Sequence, residues 1–212
     1  MQEIRFIYKD VEIVIFAPDN DHITGCISLN GFYELTLLKH SKDKLKDNPV
    51  IIDAGANIGN HTVFWSKLCN AKVHAFEPCV SAWMFLEKNV SLNGIKNASL
   101  YNSALGDCEG FGYSEISKGN LGGSKFIKNA GSTHMRTIDS LKLDRVDLIK
   151  VDVEGMELDV LHGAVQTLIK FQPMIYVETD NEEVFDYLDM LGYKKLNCFN
   201  HTPTWFFERK EK

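Results

Sequence analysis

The sequence predicts an α/β fold built on a doubly wound, mostly parallel sheet with helices on both faces. From residue 49 onward, short apolar runs alternate with segments of helical spacing, and the connections between them are short. Several of the apolar runs are continuous, which is typical of strands buried on both faces. A chain of 212 residues is long enough for one sizeable core.

The N-terminal residues are predicted to form a small β-hairpin. Ile4, Phe6 and Tyr8 occupy alternate positions, and a second apolar run follows over residues 11–16. Residues 17–31, which include a proline and two glycines, are expected to form a loop. We therefore expect an N-terminal β extension over residues 1–30 and a main domain over residues 31–212, packed together as one unit.

The first half of the main domain is predicted to alternate regularly between helix and strand. The helices are indicated by apolar residues three and four positions apart, and Gly94 is a typical residue to end one. In order, the predicted elements are a helix over 32–45, a strand over 49–54, a helix over 60–69, a strand over 72–78, a helix over 80–94 and a strand over 98–105.

The second half begins with a long irregular stretch, residues 106–137, rich in Gly, Ser, Lys and Asn. An insert of this length in a compact domain is usually a functional lid or a binding loop. The predicted elements that follow are a strand over 146–152, a helix over 155–171, a strand over 173–179, a helix over 182–192 and an antiparallel pair over 193–199 and 203–209. Five parallel strands and this closing pair make a seven-stranded sheet.

Composition argues against several classes of function. The net charge is −6 and no run of Lys or Arg is present, so a nucleic-acid partner is not expected. The five cysteines are scattered without metal-ligand spacing, and no metal site is predicted. The N-terminus lacks the apolar core of a signal peptide, and no apolar run approaches the ~20 residues of a membrane span. We expect a cytoplasmic protein.

A candidate ligand site follows the first parallel strand, in the stretch VIIDAGANIGNHT of residues 50–62. A strand, a glycine-containing loop and a helix start commonly hold a ligand at the helix N-terminus. Gly55 and Gly59 are spaced GxxxG, which differs from the GxGxxG of dinucleotide sites. Asp53 would repel a pyrophosphate but attract a cation. S-adenosylmethionine carries an ammonium and a sulfonium and no phosphate, so it is the predicted ligand, with Ala56 and Asn57 in the same loop.

A second anchor for a nucleoside ends the next strand. Glu77 lies 24 residues after Asp53, and an acid in this place can accept hydrogen bonds from both ribose hydroxyls. The adenine is then expected beside the end of the third strand. This topology places Asn102, Ser103 and Ala104 at the edge of the adenine site.

Several motifs together resemble those of the FkbM-type methyltransferases. They cover roughly residues 31–193 and read VIIDAGANIGNHTVFWS, AFEP, NSALGD, RTIDSL, DLIKVDVEGMELDVLHGA and YVE. The resemblance implies a Rossmann-like class I methyltransferase fold and S-adenosylmethionine as the methyl donor. It also implies an oxygen acceptor, such as a hydroxyl of a sugar, a glycan or a secondary metabolite. By the family pattern, the residues that match the cofactor motifs are Asp53, Gly55, Asn57, Gly59 and Glu77.

A hydroxyl acceptor loses a proton during methylation, so a general base or a metal ion is expected near the methyl group. The first candidates are Asp152 and Glu154, which follow the fourth strand beside the point where the strand order reverses. His134, at the end of the insert, is a further candidate base. Acids in a first helical turn also interact favourably with the helix dipole. Paired carboxylates could bind a divalent cation, but no third ligand is evident.

Three further residues are predicted to contact the acceptor or the cofactor. Glu178 ends the fifth strand and is expected to point toward the cleft. Tyr33 and Glu34 lie where the family resemblance implies an aromatic–Glu pair before the first motif. The N-terminal extension and the insert are least covered by the resemblance, so we expect them to select the acceptor.

Two alternatives to a methyltransferase stay open at this point. One is a nucleotide-binding oxidoreductase on a similar sheet, against which the missing GxGxxG argues. The other is a binding module that keeps the fold without catalysis. The sequence identifies neither the acceptor nor the oligomeric state.

Overall fold

A seven-stranded sheet forms the centre of the computed structural model, which describes residues 1–117, 122–199 and 202–210. In spatial order its strands are β12 (Tyr193–Phe199), β13 (Thr204–Arg209), β11 (Met174–Glu178), β10 (Leu148–Val151), β3 (Val50–Ala54), β4 (Lys72–Phe76) and β5 (Ala98–Tyr101). The strands from β11 to β5 pair in parallel, and β13 is antiparallel to both of its neighbours. The predicted mostly parallel seven-stranded sheet is confirmed.

Helices cover both faces of this sheet. Because successive side chains of a strand point to opposite faces, Ile51 and Ile52 enter two different clusters of buried residues. One cluster includes side chains of α2 (Leu35–Lys44), α3 (Asn60–Leu68) and α4 (Val80–Leu92). The other includes side chains of α5 (Glu157–His162), α6 (Val165–Phe171) and α7 (Glu182–Met190). The sheet is therefore doubly wound, as predicted.

The helix predicted over residues 155–171 is in fact two helices, α5 and α6. They are separated by Gly163 and Ala164. A Cβ at Gly163 would lie 2.0 Å from the carbonyl oxygen of Gly106, so the chain approaches another backbone too closely for any side chain. This close approach explains why the position is a glycine.

The N-terminal hairpin is present as β1 (Gln2–Tyr8) and β2 (Val11–Ala17), paired antiparallel. Two buried asparagines attach it to the domain, one in α4 and the other directly after that helix. Asn89 Oδ1 accepts a hydrogen bond from the backbone N of Phe16 at 2.6 Å, and Asn93 Oδ1 accepts one from that of Val14 at 3.0 Å. The domain boundary after residue 30 remains a prediction.

The loop predicted over residues 17–31 is wrong in its second half, which forms α1 (His22–Asn30). Asp21 caps this helix, because its Oδ1 accepts hydrogen bonds from the backbone N–H groups of Ile23 and Thr24. Gly25 in the middle of the segment lowers its helix propensity and concealed it in the sequence.

The strand predicted over residues 98–105 is divided between two sheets. β5 ends at Tyr101, and β6 (Ala104–Leu105) joins a separate four-stranded sheet instead. The other strands of that sheet lie within the stretch predicted to be irregular: β7 (Gly110–Glu115), β8 (Lys125–Lys128) and β9 (Thr133–Arg136). The insert is thus an ordered subsheet, of which residues 118–121 lie outside the described residues. No helix among the described residues has both the length and the apolar content needed to cross a bilayer.

Candidate functional site

A cavity of about 700 Å³ opens at the carboxyl ends of the central strands. β3 and β10 are neighbours there, although β4, β5 and the insert separate them in the chain. This reversal of strand order is the place where open α/β sheets bind ligands. Helix α1 and the insert contribute to the same wall through His22, Cys26, Ser124 and Phe126.

Most of the predicted site residues line this cavity. They come from the glycine loop, from the ends of four strands and from the segment that precedes α2: Gly55, Asn57, Glu77, Ser103, Ala104, Asp152, Glu154, Glu178, Tyr33 and Glu34. The other predicted site residues do not line it: Asp53, Ala56, Gly59, Asn102 and His134.

The expectation that Asp53 faces the ligand is wrong in this structure. Asp53 is fully buried, and its Oδ2 accepts a hydrogen bond from the Thr62 hydroxyl at 2.6 Å. Its Oδ1 lies 3.5 Å from Nζ of Lys150, so the nearest positive charge belongs to the protein. The register of the sheet pairs Lys150 directly with Asp53 across β10 and β3. Asp53 therefore cannot select a cationic ligand by direct contact.

The two glycines of the loop allow close packing between segments. Gly55 has a φ of +76°, and a Cβ there would lie 1.7 Å from the carbonyl oxygen of Asp152. Gly59 has a φ of +88°, and its Cβ would lie 2.7 Å from Cδ1 of Leu86. The expectation that both glycines give room to the ligand is wrong for Gly59, which lies outside the cavity wall and brings α3 against α4. Gly55 brings the loop against the end of β10 and also lines the cavity, so its role toward the ligand stays a prediction.

Three other expected contacts are also corrected. Ala56 is buried, and its backbone N donates to the carbonyl of Phe76 at 2.9 Å. Asn102 is exposed and donates from Nδ2 to the backbone oxygen of Glu77 at 2.8 Å, so it holds the neighbouring strand end. His134 lies on β9 with its Nε2 3.3 Å from Glu109, outside the cavity wall, which removes it as the candidate base.

Glu77 organises one half of the cavity. Its two carboxylate oxygens accept hydrogen bonds from the backbone N–H groups of Asn57 and Cys79, each at 2.8 Å. Burial raises the pKa of Glu77 to about 7, against the opposing effect of those two N–H groups and of Lys150. Each oxygen keeps a second lone pair for a hydroxyl donor.

Beside Glu77 the wall is largely apolar. Phe76, which stacks on Tyr101 at 4.5 Å between ring centroids, lines the cavity together with Ala104 and Leu105. Ser103 also lines it, and its buried hydroxyl has no hydrogen-bond partner among the described residues. A flat aromatic ligand that carries a hydrogen-bonding group would fit this half.

Glu34 and His61 form a buried pair at the opposite half. Nε2 of His61 lies 2.9 Å from Oε2 of Glu34, and both side chains are almost inaccessible. Burial by itself raises the pKa of Glu34, but the hydrogen bond from His61, its charge and that of Lys150 lower it overall. Glu34 has a φ of +54°. The side-chain amide of Asn60 holds the adjacent Tyr33 through two hydrogen bonds of 3.0 Å, one from the backbone N–H of Tyr33 and one to its carbonyl oxygen.

Lys150 is buried outside the cavity wall and links the glycine loop to the end of β10. Its Nζ donates to the carbonyl of Gly55 at 2.8 Å and lies 3.1 Å from Asp152. Burial lowers the pKa of Lys150, but the carboxylates of Asp152, Asp53 and Glu34 outweigh burial and raise it above its usual value. Lys150 is therefore a permanent cation that fixes the glycine loop against the end of β10.

Two further carboxyl groups complete this half. Burial, followed by the charges of Asp152 and Glu34, raises the pKa of Glu178 to about 7. Burial also raises the pKa of Glu154, whose backbone is held at a φ of +54°. A carboxyl group that titrates near neutrality is suited to accept a proton.

Sequence analysis missed Lys150 and gave His61 no role. Lys150 interrupts the apolar run LIKV of a predicted buried strand, and a charged residue in such a run is a sign of a buried ion pair. His61 has no comparable local sign, because its partner Glu34 is remote in sequence. Within the part of the chain that the structure describes, no three His, Cys, Asp or Glu side chains group closely enough to hold a metal ion.

Comparison with known proteins identifies relatives of this chain. Residues 53–195 match the model of the methyltransferase FkbM domain. The methyltransferase sdnD of Sordaria araneosa is 30% identical over 195 residues, which cover 72% of this chain and 75% of that protein. The hexuronic acid methyltransferase AglP of Haloferax volcanii is 31% identical over 135 residues, covering 59% and 54%. The 2-O-methyltransferase NoeI of Sinorhizobium fredii is 27% identical over 166 residues, covering 66% and 67%.

A solved structure shows the same fold. The FkbM methyltransferase of Methylobacillus flagellatus KT matches with a TM-score of 0.58 at 19% identity, over 78% of this chain and 45% of that one. The seven-stranded sheet is thus the Rossmann-like fold of class I methyltransferases. The matched region runs from the glycine loop to β12 and includes most of the cavity, and the chain therefore belongs to the FkbM methyltransferase family.

Proposed function

We propose that this chain is an S-adenosylmethionine-dependent O-methyltransferase. Its acceptor would be a hydroxyl group of a sugar, a glycan or a secondary metabolite. The observation that carries the proposal is the two-sided cavity at the strand-order reversal. One half offers Glu77 and the unpartnered Ser103 hydroxyl beside an apolar slot, and the other half offers carboxylates.

The residues of the first half fit an adenosine group. Glu77 can accept hydrogen bonds from ribose hydroxyls, and the Ser103 hydroxyl can satisfy its bonding capacity at the adenine edge. Asp152 takes over the electrostatic role first given to Asp53, since it lines the cavity and its side chain is accessible. When bound, S-adenosylmethionine supplies a methyl group activated by a positively charged sulfur.

The protein's part in the reaction is to orient the acceptor and to take its proton. Holding the acceptor hydroxyl in line with the methyl group can lower the barrier by about 7 kcal/mol in favourable cases. Glu178 replaces His134 as the proposed general base because it lines the cavity and has a pKa of about 7. Asp152 and Glu154 are proposed to position the acceptor beside it.

Relatives support the oxygen acceptor without identifying it. NoeI is named a 2-O-methyltransferase and AglP a hexuronic acid methyltransferase. No Lys or Arg among the described residues lines the cavity, which supports a small-molecule or glycan acceptor rather than a nucleic acid. A cytoplasmic location remains a prediction from the sequence.

A ligand panel tests the proposal against its alternatives. S-adenosylhomocysteine is expected to raise the unfolding temperature of the protein and to bind one site in calorimetry, whereas NADH and NADPH are not. Binding of a dinucleotide in place of S-adenosylhomocysteine would favour an oxidoreductase. Binding of S-adenosylhomocysteine without methyl transfer to any component of a cell extract would favour a module without catalysis.

A further inference from the structure

The buried amide of Asn89 links two segments that lie far apart in the sequence. Its Oδ1 accepts a hydrogen bond from the backbone N–H of Phe16 at 2.6 Å. Its Nδ2 donates to the carbonyl oxygen of Phe16 at 2.9 Å and to that of Ile58 at 2.7 Å. The side chain has no exposed surface, so none of these bonds competes with water. One planar amide group therefore holds strand β2 and Ile58 at a fixed separation.

Ile58 belongs to the glycine loop, residues 55–59. The residue before it, Asn57, lines the cavity and donates its backbone N–H to the carboxylate of Glu77 at 2.8 Å. Asn57 has a φ of +50°, which is uncommon for a residue with a side chain and needs support from its surroundings. The hydrogen bond from Asn89 to the carbonyl of the next residue provides such support. Asn89 thus reaches the ligand-facing part of the loop from outside the cavity wall.

Phe16, the other partner of Asn89, positions a different part of the cavity. Its ring packs against Phe85 of α4 with 5.6 Å between the ring centroids. Strand β2 ends directly after Phe16, and a short connection leads to the start of α1. Three residues of α1 line the cavity, and we call them the α1 wall: His22, Ile23 and Cys26. The place of β2 therefore determines where the α1 wall lies.

Asn93 provides an internal comparison, because it holds the same strand without the link to the loop. Its Oδ1 accepts from the backbone N–H of Val14 at 3.0 Å. Its Nδ2 donates to the carbonyl of Val14 at 2.6 Å and to that of Asn89 at 2.8 Å. Among the described residues, its side chain makes no hydrogen bond to the glycine loop. The two asparagines differ in the bond to Ile58.

We propose that Asn89 is a positioning residue, which fixes the glycine loop relative to the α1 wall through its three hydrogen bonds. This inference rests on the proposed methyltransferase function, in which the loop holds the donor and the α1 wall faces the acceptor. A shift of the loop relative to β2 would break a buried hydrogen bond and leave a carbonyl without a partner, which is costly. Methyl transfer requires donor and acceptor in line at attack distance, so a fixed separation of their binding segments serves the reaction.

Calorimetry with S-adenosylhomocysteine on Asn89→Ser and Asn93→Ser is the first test. A serine hydroxyl has a single donor and cannot replace an amide that serves two carbonyls. Asn89→Ser is expected to bind S-adenosylhomocysteine about tenfold more weakly, because the loop then occupies its binding position for only a fraction of the time. Asn93→Ser is expected to keep the wild-type affinity. A general loss of stability does not change the affinity of the folded protein, so this readout separates positioning from a merely structural role.

Methyl transfer from labelled S-adenosylmethionine to a cell extract supplies a second readout. At a donor concentration that saturates the wild-type protein and both variants, the rate of Asn89→Ser is expected to stay about tenfold to a hundredfold below that of the wild type. A displacement of ~1 Å between the reactants has an effect of this size. Asn93→Ser should match the wild-type rate. Recovery of the full rate by Asn89→Ser at saturating donor would show that Asn89 affects donor binding alone and would overturn its role in alignment.

A second matched pair, Asn89→Asp and Asn93→Asp, keeps the experiment decisive where a serine variant does not fold. Aspartate retains an acceptor for the N–H group of β2 and lacks the amide donor, so the bond to Ile58 is lost in Asn89→Asp alone. The same difference in affinity between the two members of the pair is expected. An equal loss of affinity in both members, or unchanged affinity in both, would overturn the proposal.

The same titrations separate this inference from the proposed function. Failure of the wild-type protein to bind S-adenosylhomocysteine would refute the methyltransferase proposal itself. Normal binding by the wild-type protein and by the variants of both pairs would refute only the role of Asn89.

Discussion

At the scale of single residues, Lys150 is the group on which the site geometry depends. It is the buried cation that holds the Gly55 carbonyl, lies beside Asp152 and faces Asp53. A carboxylate at a strand end is visible in the sequence, but the direction it faces depends on its neighbour in the sheet. Because Lys150 is that neighbour, Asp53 turns inward and Asp152 becomes the acid at the cavity.

Glu178 is expected to make the protein less stable as the pH rises. Its pKa of about 7 in the folded state exceeds the ~4.3 of an exposed glutamate, so the folded state binds more protons between these values. The free energy of unfolding should therefore fall from pH 5 to pH 8, and Glu178→Gln should make this fall smaller. Urea denaturation at both pH values measures it.

The matched control for this prediction is Glu182→Gln. Glu182 is exposed at the start of α7, and its substitution should leave the pH dependence unchanged. An identical fall in the wild-type protein and in Glu178→Gln would show that Glu178 titrates as an ordinary glutamate.

Glu77→Gln is expected to weaken the binding of S-adenosylhomocysteine by about tenfold to a hundredfold, since hydrogen bonds to a charged group contribute ~1.5–3 kcal/mol. Part of the loss arises because the amide can no longer accept from both Asn57 and Cys79 and from the ribose. Calorimetry measures the affinity. The control is Glu87→Gln, which removes an exposed charge of α4 outside the cavity wall and should leave the affinity unchanged. Unchanged affinity in Glu77→Gln would remove Glu77 from the cofactor site.

At the scale of elements, the spacing of apolar residues predicted the long, buried helices and strands but did not reveal the short strands of the small sheet. The parallel strands with apolar runs such as VIIDA are confirmed in type and in their order along the chain. The strands of the small sheet have two to six residues and mixed polarity, so neither period nor composition identifies them. Helix α1 was missed because Gly25 lies in its middle.

The glycine loop can be tested with two positive-φ glycines that differ in their surroundings. Gly55→Ala would place its Cβ on the Asp152 carbonyl, whereas Gly94→Ala, with a φ of +62°, meets nothing within 4 Å. Gly94→Ala should lower the free energy of unfolding by only the ~1–2 kcal/mol that a left-handed backbone costs a residue with a side chain. Gly55→Ala should lower it by several kcal/mol more. Chemical denaturation compares them, and equal losses would contradict the proposed packing of the loop on β10.

Helix α1 is expected to affect the acceptor and not the cofactor. Asp21→Ala removes the helix cap and should destabilise α1 by about 1 kcal/mol. Since His22, Ile23 and Cys26 line the cavity, the KM for the acceptor should rise while the affinity for S-adenosylhomocysteine stays the same. Steady-state kinetics measures the KM, and calorimetry measures the affinity for S-adenosylhomocysteine. If that affinity fell as much as the KM rose, α1 would contact the cofactor instead.

At the scale of the whole molecule, the order of strands brings the site residues together. β3 and β10 are neighbours in the sheet but lie more than ninety residues apart in the chain, so Gly55 meets Asp152 only in the folded structure. The sequence predicted which strand ends would meet because parallel strands end at the same edge. It could not predict the pairs Glu34–His61 and Asp53–Lys150, which depend on side-chain packing between elements.

A crystal structure of the complex with S-adenosylhomocysteine would test the central claim, that the cavity at this strand-order reversal binds the methyl donor. We expect the ribose hydroxyls on the Glu77 carboxylate, the adenine beside Ser103 and Phe76, and Asp53 still facing Lys150. An adenine bound outside this slot, or an Asp53 carboxylate turned out to contact the ligand, would contradict the account.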